Sequence, residues 1–123
     1  MRHNQYEAAE QIKLFRWAVW AVNQYPELEL LYHIPNGGSR NAIEAAHLKQ
    51  QGVKAGVPDL CLPVARGSYH GLYIEMKAGK NKPTEKQWKW IEALKAQGYA
   101  VSICWSYEAA RSEIEKYMNL ITT

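Results

Sequence analysis

Three side chains in this sequence have the types and spacing for metal-assisted chemistry on phosphate: Asp59, Glu75 and Lys77. Segments 59–64 and 72–77 read as two strands around a glycine-containing turn at 66–71. Strands joined by a short turn lie antiparallel, so folding the chain about Gly67 or Ser68 sets Asp59 opposite Glu75 or Lys77. Directly opposed residues have Cβ atoms ~5 Å apart. Glu75 and Lys77 lie two apart and project from one face, while Leu72, Ile74 and Met76 project from the other. Two carboxylates that close repel unless a cation lies between them. Oxygen donors of this kind suit Mg²⁺ or Mn²⁺, which polarise a phosphoryl oxygen and lower the pKa of a water. Lys77 is placed to orient that water or to stabilise charge developing on phosphate. The plainer account is an Asp-Lys-Glu network on a half-exposed sheet. Pro58, which fixes the start of the strand, and the glycines at 56, 71 and 79, which leave space beside it, favour the site.

The elements that must position these groups follow from capping and turn residues. Asn4-Gln5-Tyr6-Glu7 has the pattern of a capping box opening a helix that reaches Tyr25 and stops at Pro26. That helix is apolar almost all round (Ile12, Leu14, Phe15, Trp17, Val19, Trp20, Val22), so it predicts burial on more than one side, with a partner subunit able to cover the second. Residues 30–34 read as a strand, 35–40 as a loop, and 41–51 as a helix with Gly52 just past its end. Thr84-Glu85-Lys86-Gln87 is a second capping-box pattern, opening a helix to Gln97. A strand over 99–105 and a Ser106-capped helix to Leu120 complete the order: helix, strand, helix, strand, strand, helix, strand, helix. This is an α/β sheet domain with helices on its faces, and 123 residues hold one such domain.

The charge is mildly basic, net +3, which permits an acidic partner without demanding one. Between residues 76 and 98 there are six lysines against two glutamates. They form either a solvated helix face or a phosphate-contacting rim. Two cysteines without CxxC spacing and four scattered histidines argue against a disulfide framework or a zinc site. The polar N-terminus and the absence of an apolar run near ~20 residues lead us to expect a cytoplasmic protein with no membrane span.

Pro58-Asp59 followed by Glu75-Met76-Lys77 resembles the motif of the PD-(D/E)xK nuclease superfamily. The wider pattern is more specific. Residues 35–40 (Pro-Asn-Gly-Gly-Ser-Arg), 52–59 (Gly-Val-Lys-Ala-Gly-Val-Pro-Asp), 73–77 (Tyr-Ile-Glu-Met-Lys) and 84–87 closely resemble the VRR-NUC family, over nearly the whole chain. The resemblance implies a restriction-endonuclease-like αβββαβ core with a mixed sheet flanked by helices. It also implies Mg²⁺- or Mn²⁺-dependent cleavage of DNA. By position, Asp59 and Glu75 would be metal ligands, Met76 would offer its backbone carbonyl, and Lys77 would be the catalytic lysine. A glutamate of the first helix would join them. Glu7 and Glu10 share one helical face with Leu14, and Glu10, followed by Gln11, is preferred for catalysis and metal binding because the capping box accounts for Glu7. Gln87 matches a site glutamine, against its other reading as a capping residue. Asn36, Gly37, Gly38 and Arg40 are either a turn or a loop meeting the DNA backbone, and Lys54, Lys80 and Lys82 are further nucleic-acid contacts.

With no helicase or repair module in view, the chain looks like the stand-alone type of bacteria and phages, whose members resemble homodimeric Holliday-junction resolving enzymes. Four-way junction resolution takes two symmetric cuts, and a C₂ pair supplies two sites. The same chemistry on flaps, nicks or duplex DNA is the nearest alternative. A DNA-binding module without catalysis is the alternative of another class, and it predicts a broken Asp-Glu-Lys set.

Overall fold

The computed structural model describes residues 3–35 and 41–121. Its elements run α1 (His3–Ala21), a 3₁₀ helix (Pro26–Leu30), β1 (Tyr32–His33), α2 (Ala42–Gln50), β2 (Leu60–Leu62), β3 (Leu72–Met76), α3 (Glu85–Ala96), β4 (Ala100–Cys104) and α4 (Tyr107–Met118). The strands form one mixed sheet in the order β1-β2-β3-β4. β1–β2 and β2–β3 are antiparallel, while β3–β4 is parallel, with α3 as the crossover that a parallel pair requires. The expected order of elements holds, with the 3₁₀ helix added.

Helix starts fall where side-chain oxygens satisfy the first backbone donors. Asn41 accepts the Glu44 N–H at 2.7 Å and Ser106 accepts the Ala109 N–H at 3.0 Å. Thr84 and Gln87 form the reciprocal capping box. Gly52 follows the α2 cap at φ +99°, a backbone setting that side chains resist.

The N-terminal third departs from expectation. α1 already includes residue 4, so Asn4 lies within the helix and not at its N-cap. At its other end α1 gives way after Ala21 to mixed i−3 and i−4 turns up to Tyr25. Pro26 then starts the 3₁₀ turn, where a strand beginning at Leu30 was expected. The period of three in that turn sends Leu28 and Leu31 inward, at 2% and 7% exposure, and leaves only Tyr32 and His33 to pair as β1.

The core lies on one side of the sheet. Leu60, Leu62, Leu72, Ile74 and Met76 pack with Leu14 and Ala18 of α1 and with Ala110 and Ile114 of α4. The Tyr117 hydroxyl of α4 donates to the Val64 carbonyl at 2.6 Å, fixing that helix to the hairpin. Among the described side chains of α1 only Leu14 and Ala18 lie below a tenth exposure, and Ile12, Val19 and Trp20 are exposed at 53%, 71% and 76%. Burial on a second side, expected for this helix, is therefore missing at Ile12, Val19 and Trp20.

Candidate active site

Strand alternation sends the side chains between the core positions to the opposite face. The register pairs Leu60 with Ile74, so one step further Asp59 stands across from Glu75. The backbone of Asp59 is fixed by β1. Its carbonyl accepts the Ile34 N–H at 2.7 Å, and His33 Nδ1 lies 2.9 Å from the same oxygen. Asp59 Oδ2 accepts the Met76 N–H at 2.7 Å, which locks the carboxylate against the end of β3. Just upstream, Pro58 is buried and Gly56 adopts φ +92°. A Cβ at Gly56 would come within 3.0 Å of the Lys86 backbone, so only glycine lets this loop lie against α3.

Glu75 is 1% exposed and Lys77 7%. They are the only buried charged side chains among the described residues, which removes the half-exposed surface network as an account of them. The Glu75 Oε2 atom is buried without any hydrogen-bond partner. Burial pushes the Glu75 carboxyl up to about 9, a hydrogen bond and charge repulsion from Asp59 add to this, Lys77 opposes it, and Glu7 adds a smaller push. Lys77 is anchored through its N–H, which donates to the Cys104 carbonyl of β4 at 2.9 Å. Met76, whose side chain is fully buried in the core, ends β3 between the two charged residues.

The remaining expected site residues fall in several places. Glu10 Oε1 accepts the Tyr107 N–H at 3.1 Å, at the first turn of α4, and its other oxygen pairs with Lys13 at 2.8 Å. Those bonds, Lys13 first, hold its carboxyl below the usual range. Glu7 is the α1 carboxylate whose charge reaches Glu75. Gln87 Oε1 accepts the Thr84 N–H at 2.8 Å, so its carbonyl is used in the capping box and its amide nitrogen is left for other contacts. Lys80 and Lys82 are exposed on a loop that Trp105 ties down by donating to the Asn81 carbonyl at 2.7 Å. Lys54 is exposed on the loop leading to Asp59. Asn36, Gly37, Gly38 and Arg40 lie outside the described residues.

Two features go beyond the sequence reading. Gly56 stands in the sequence as a residue leaving space beside the site, and the fold sets its backbone against α3. Lys49 comes from α2, far in sequence from Lys86 and Lys89 of α3, yet all three border one cavity of about 680 Å³ with Lys54 and Trp90. The Lys86, Lys89, Trp90 stripe at i, i+3, i+4 was the available signal for half of it.

Among the described residues no three His, Cys, Asp or Glu side chains converge, so the donor set is two carboxylates with nearby peptide oxygens. That set fits a hard divalent cation that keeps much of its water, and the orphaned Glu75 oxygen is the atom such an ion would satisfy.

Comparison with known proteins shows the family. The family model described as the VRR-NUC domain matches residues 2–108. A solved structure titled "VRR_NUC domain protein" superposes with a TM-score of 0.78 at 34% identity, covering 95% of this chain and 91% of that one. The search of curated proteins finds no match.

Proposed function

The chain belongs to the VRR-NUC family of nuclease domains, and from that premise we propose that it is a Mg²⁺- or Mn²⁺-dependent DNA endonuclease centred on Asp59, Glu75 and Lys77. The observation that carries the proposal is buried Glu75, opposite the half-buried Asp59 and beside buried Lys77, with one glutamate oxygen unsatisfied. A buried carboxylate left this way costs stability, and a bound cation would offset that cost.

Asp59, Glu75 and the Met76 carbonyl would hold the cation, which supplies a Lewis acid for the phosphoryl oxygen and acidifies a nearby water. The chain's own groups then act on the phosphodiester. Lys77, nearly excluded from solvent, places an ammonium where negative charge grows, and its effect is larger for lacking water around it. In the overall hydrolysis the water oxygen would bond to phosphorus as the bond from phosphorus to the sugar oxygen breaks, and the proton the water gives up balances the one the sugar oxygen gains. For the α1 carboxylate we assign Glu7 and not Glu10, because Glu7 is felt by Glu75 while Glu10 is bonded to the start of α4. Gln87 retains its amide nitrogen for a contact at the rim. Lys54, Lys80 and Lys82 are exposed and suited to phosphates flanking the cut.

The substrate we propose is branched DNA, cut by a homodimer as in Holliday-junction resolution. Support comes from the uncovered apolar side of α1, where Ile12, Val19 and Trp20 offer a patch for a second copy. No helix among the described residues is long and apolar enough to cross a membrane.

The test is cleavage of an end-labelled four-way junction beside a linear duplex of equal length, with Mg²⁺, Mn²⁺ or EDTA. Paired symmetric cuts on the junction alone, lost in EDTA, are expected. Equal cutting of both substrates would keep the nuclease and remove the junction. Folded protein that binds DNA and cuts neither substrate with either metal would leave a binding module.

A further inference from the structure

α2 buries none of its residues. Between it and α3 lies the cavity of about 680 Å³, with Val53 and Trp90 among its apolar lining. Four ammonium groups border it: Lys49 from the last turn of α2, Lys54 from the following loop, and Lys86 and Lys89 from α3. Among the described residues no carboxylate lines the cavity. Among the described residues the ion pairs are Lys13–Glu10, Arg66–Glu27 and Arg111–Glu115, so none of these four lysines is neutralised by the protein. Like charges gathered around a partly apolar concavity repel one another, and a polyanion removes that repulsion.

The cleft is also coupled in position to the catalytic hairpin. Lys54 and Asp59 belong to one loop, and that loop is held against α3 where Gly56 meets the Lys86 backbone. Five residues of chain reach at most ~17 Å, or about five base-pair steps along a duplex strand. A strand with its scissile phosphate at Asp59 therefore passes within reach of the cleft.

We propose that this cleft binds the phosphate backbone of the DNA flanking the cut, with Lys49, Lys86 and Lys89 joining Lys54 as phosphate contacts and Trp90 beneath the sugar edge. The inference rests on the reading of the chain as a DNA nuclease, but its test does not need cleavage. Charge complementarity selects the occupant. An acidic peptide would match the sign of the charge, but nothing places it beside the hairpin, whereas a DNA strand already at Asp59 continues there.

The experiment is fluorescence anisotropy of a labelled 20-base-pair duplex with the full chain in EDTA, over a range of salt. Lys49→Ala/Lys89→Ala should weaken binding at least tenfold at low salt. It should also flatten the log Kd against log salt slope by about 1.8, for two lost phosphate contacts. Lys49→Arg/Lys89→Arg should keep both values. The control removes the same charge elsewhere: Lys95→Ala/Lys116→Ala, beside a different cavity, should change Kd less than twofold. Unchanged affinity and slope in the cleft variant overturn the proposal, as does an equal loss in the control pair. Because cutting does not enter, a folded chain that never cleaves DNA but shows the expected pattern keeps the cleft and loses the nuclease.

Discussion

Glu10 and Glu75 are both acidic side chains held within the fold, and their surroundings treat them in opposite ways. Where α1 meets α4, Glu10 is satisfied: one oxygen takes a backbone N–H of α4, the other takes Lys13, and its carboxyl is held low. At the end of the β2–β3 hairpin, Glu75 is more deeply buried, keeps an oxygen without a partner, and has its carboxyl pushed up to about 9. A structural carboxylate is completed by the protein; the hairpin carboxylate is left incomplete beside a second acid and a buried lysine. On the proposed function, the difference separates a group that holds the fold from one kept for a cation.

The largest effect that sharpens this contrast is on turnover. Asp59→Asn and Lys77→Ala should each lower cleavage of labelled DNA by roughly 10³-fold or more while DNA binding survives, since each removes a group acting at the reacting phosphate. Retained cleavage in both variants would remove the site assignment.

Next comes a stability change of unusual sign. Glu75→Gln should raise the stability of the metal-free protein by about 1–3 kcal/mol in urea denaturation at pH 8, because the folded chain must hold a proton on Glu75 that the unfolded chain releases, and a neutral amide of the same shape carries no such cost. A loss of stability at that pH would mean the carboxylate is satisfied after all.

The pH dependence follows from the same contrast. The folded pKa of Glu75 lies above its ordinary value of 4.5, so the folded chain holds a proton that the unfolded chain gives up between about 4.5 and 9. Its contribution is fully present below 4.5 and is lost as pH rises through 9. Glu10 runs the other way: its lowered pKa gives a contribution present above the ordinary carboxylate range and lost as pH falls. Melting temperature in EDTA should therefore decline from pH 5 to pH 9, and Glu75→Gln should flatten that decline. A decline of equal steepness in the variant would trace it to other groups.

How much of this was readable from the chain depends on the range of the interaction. The hairpin site was readable because a short turn and period-2 alternation fix both register and face, so the Asp59–Glu75 opposition needed only local information. The N-caps of α3 and α4, and Gly52 just past α2, were readable for the same reason. The early end of α1 was not, because Leu28 and Leu31 are drawn into a core assembled from distant segments. Glu7 and Glu10 share a helical face in the sequence, and it is the docking of α4 that engages one of them. The lysine cleft joins α2 to α3 across a long stretch of sequence, so the run over 76–98 showed Lys86 and Lys89 without Lys49.

The smallest effect is expected at Glu10. Glu10→Gln should cost about 1 kcal/mol, as for loss of a helix-capping acceptor, and leave cleavage within a few-fold. Thermal unfolding beside a cleavage time course checks both parts, and a large loss of cleavage without unfolding would return Glu10 to the site.

The most direct measurement sets the two carboxylates side by side: DNA cleavage with Mg²⁺ by folded Glu10→Gln and Glu75→Gln, with Mn²⁺ binding by each followed by calorimetry. The account predicts that Glu10→Gln binds the metal and cuts, and that Glu75→Gln does neither. Cleavage and Mn²⁺ binding that persist in Glu75→Gln would contradict it.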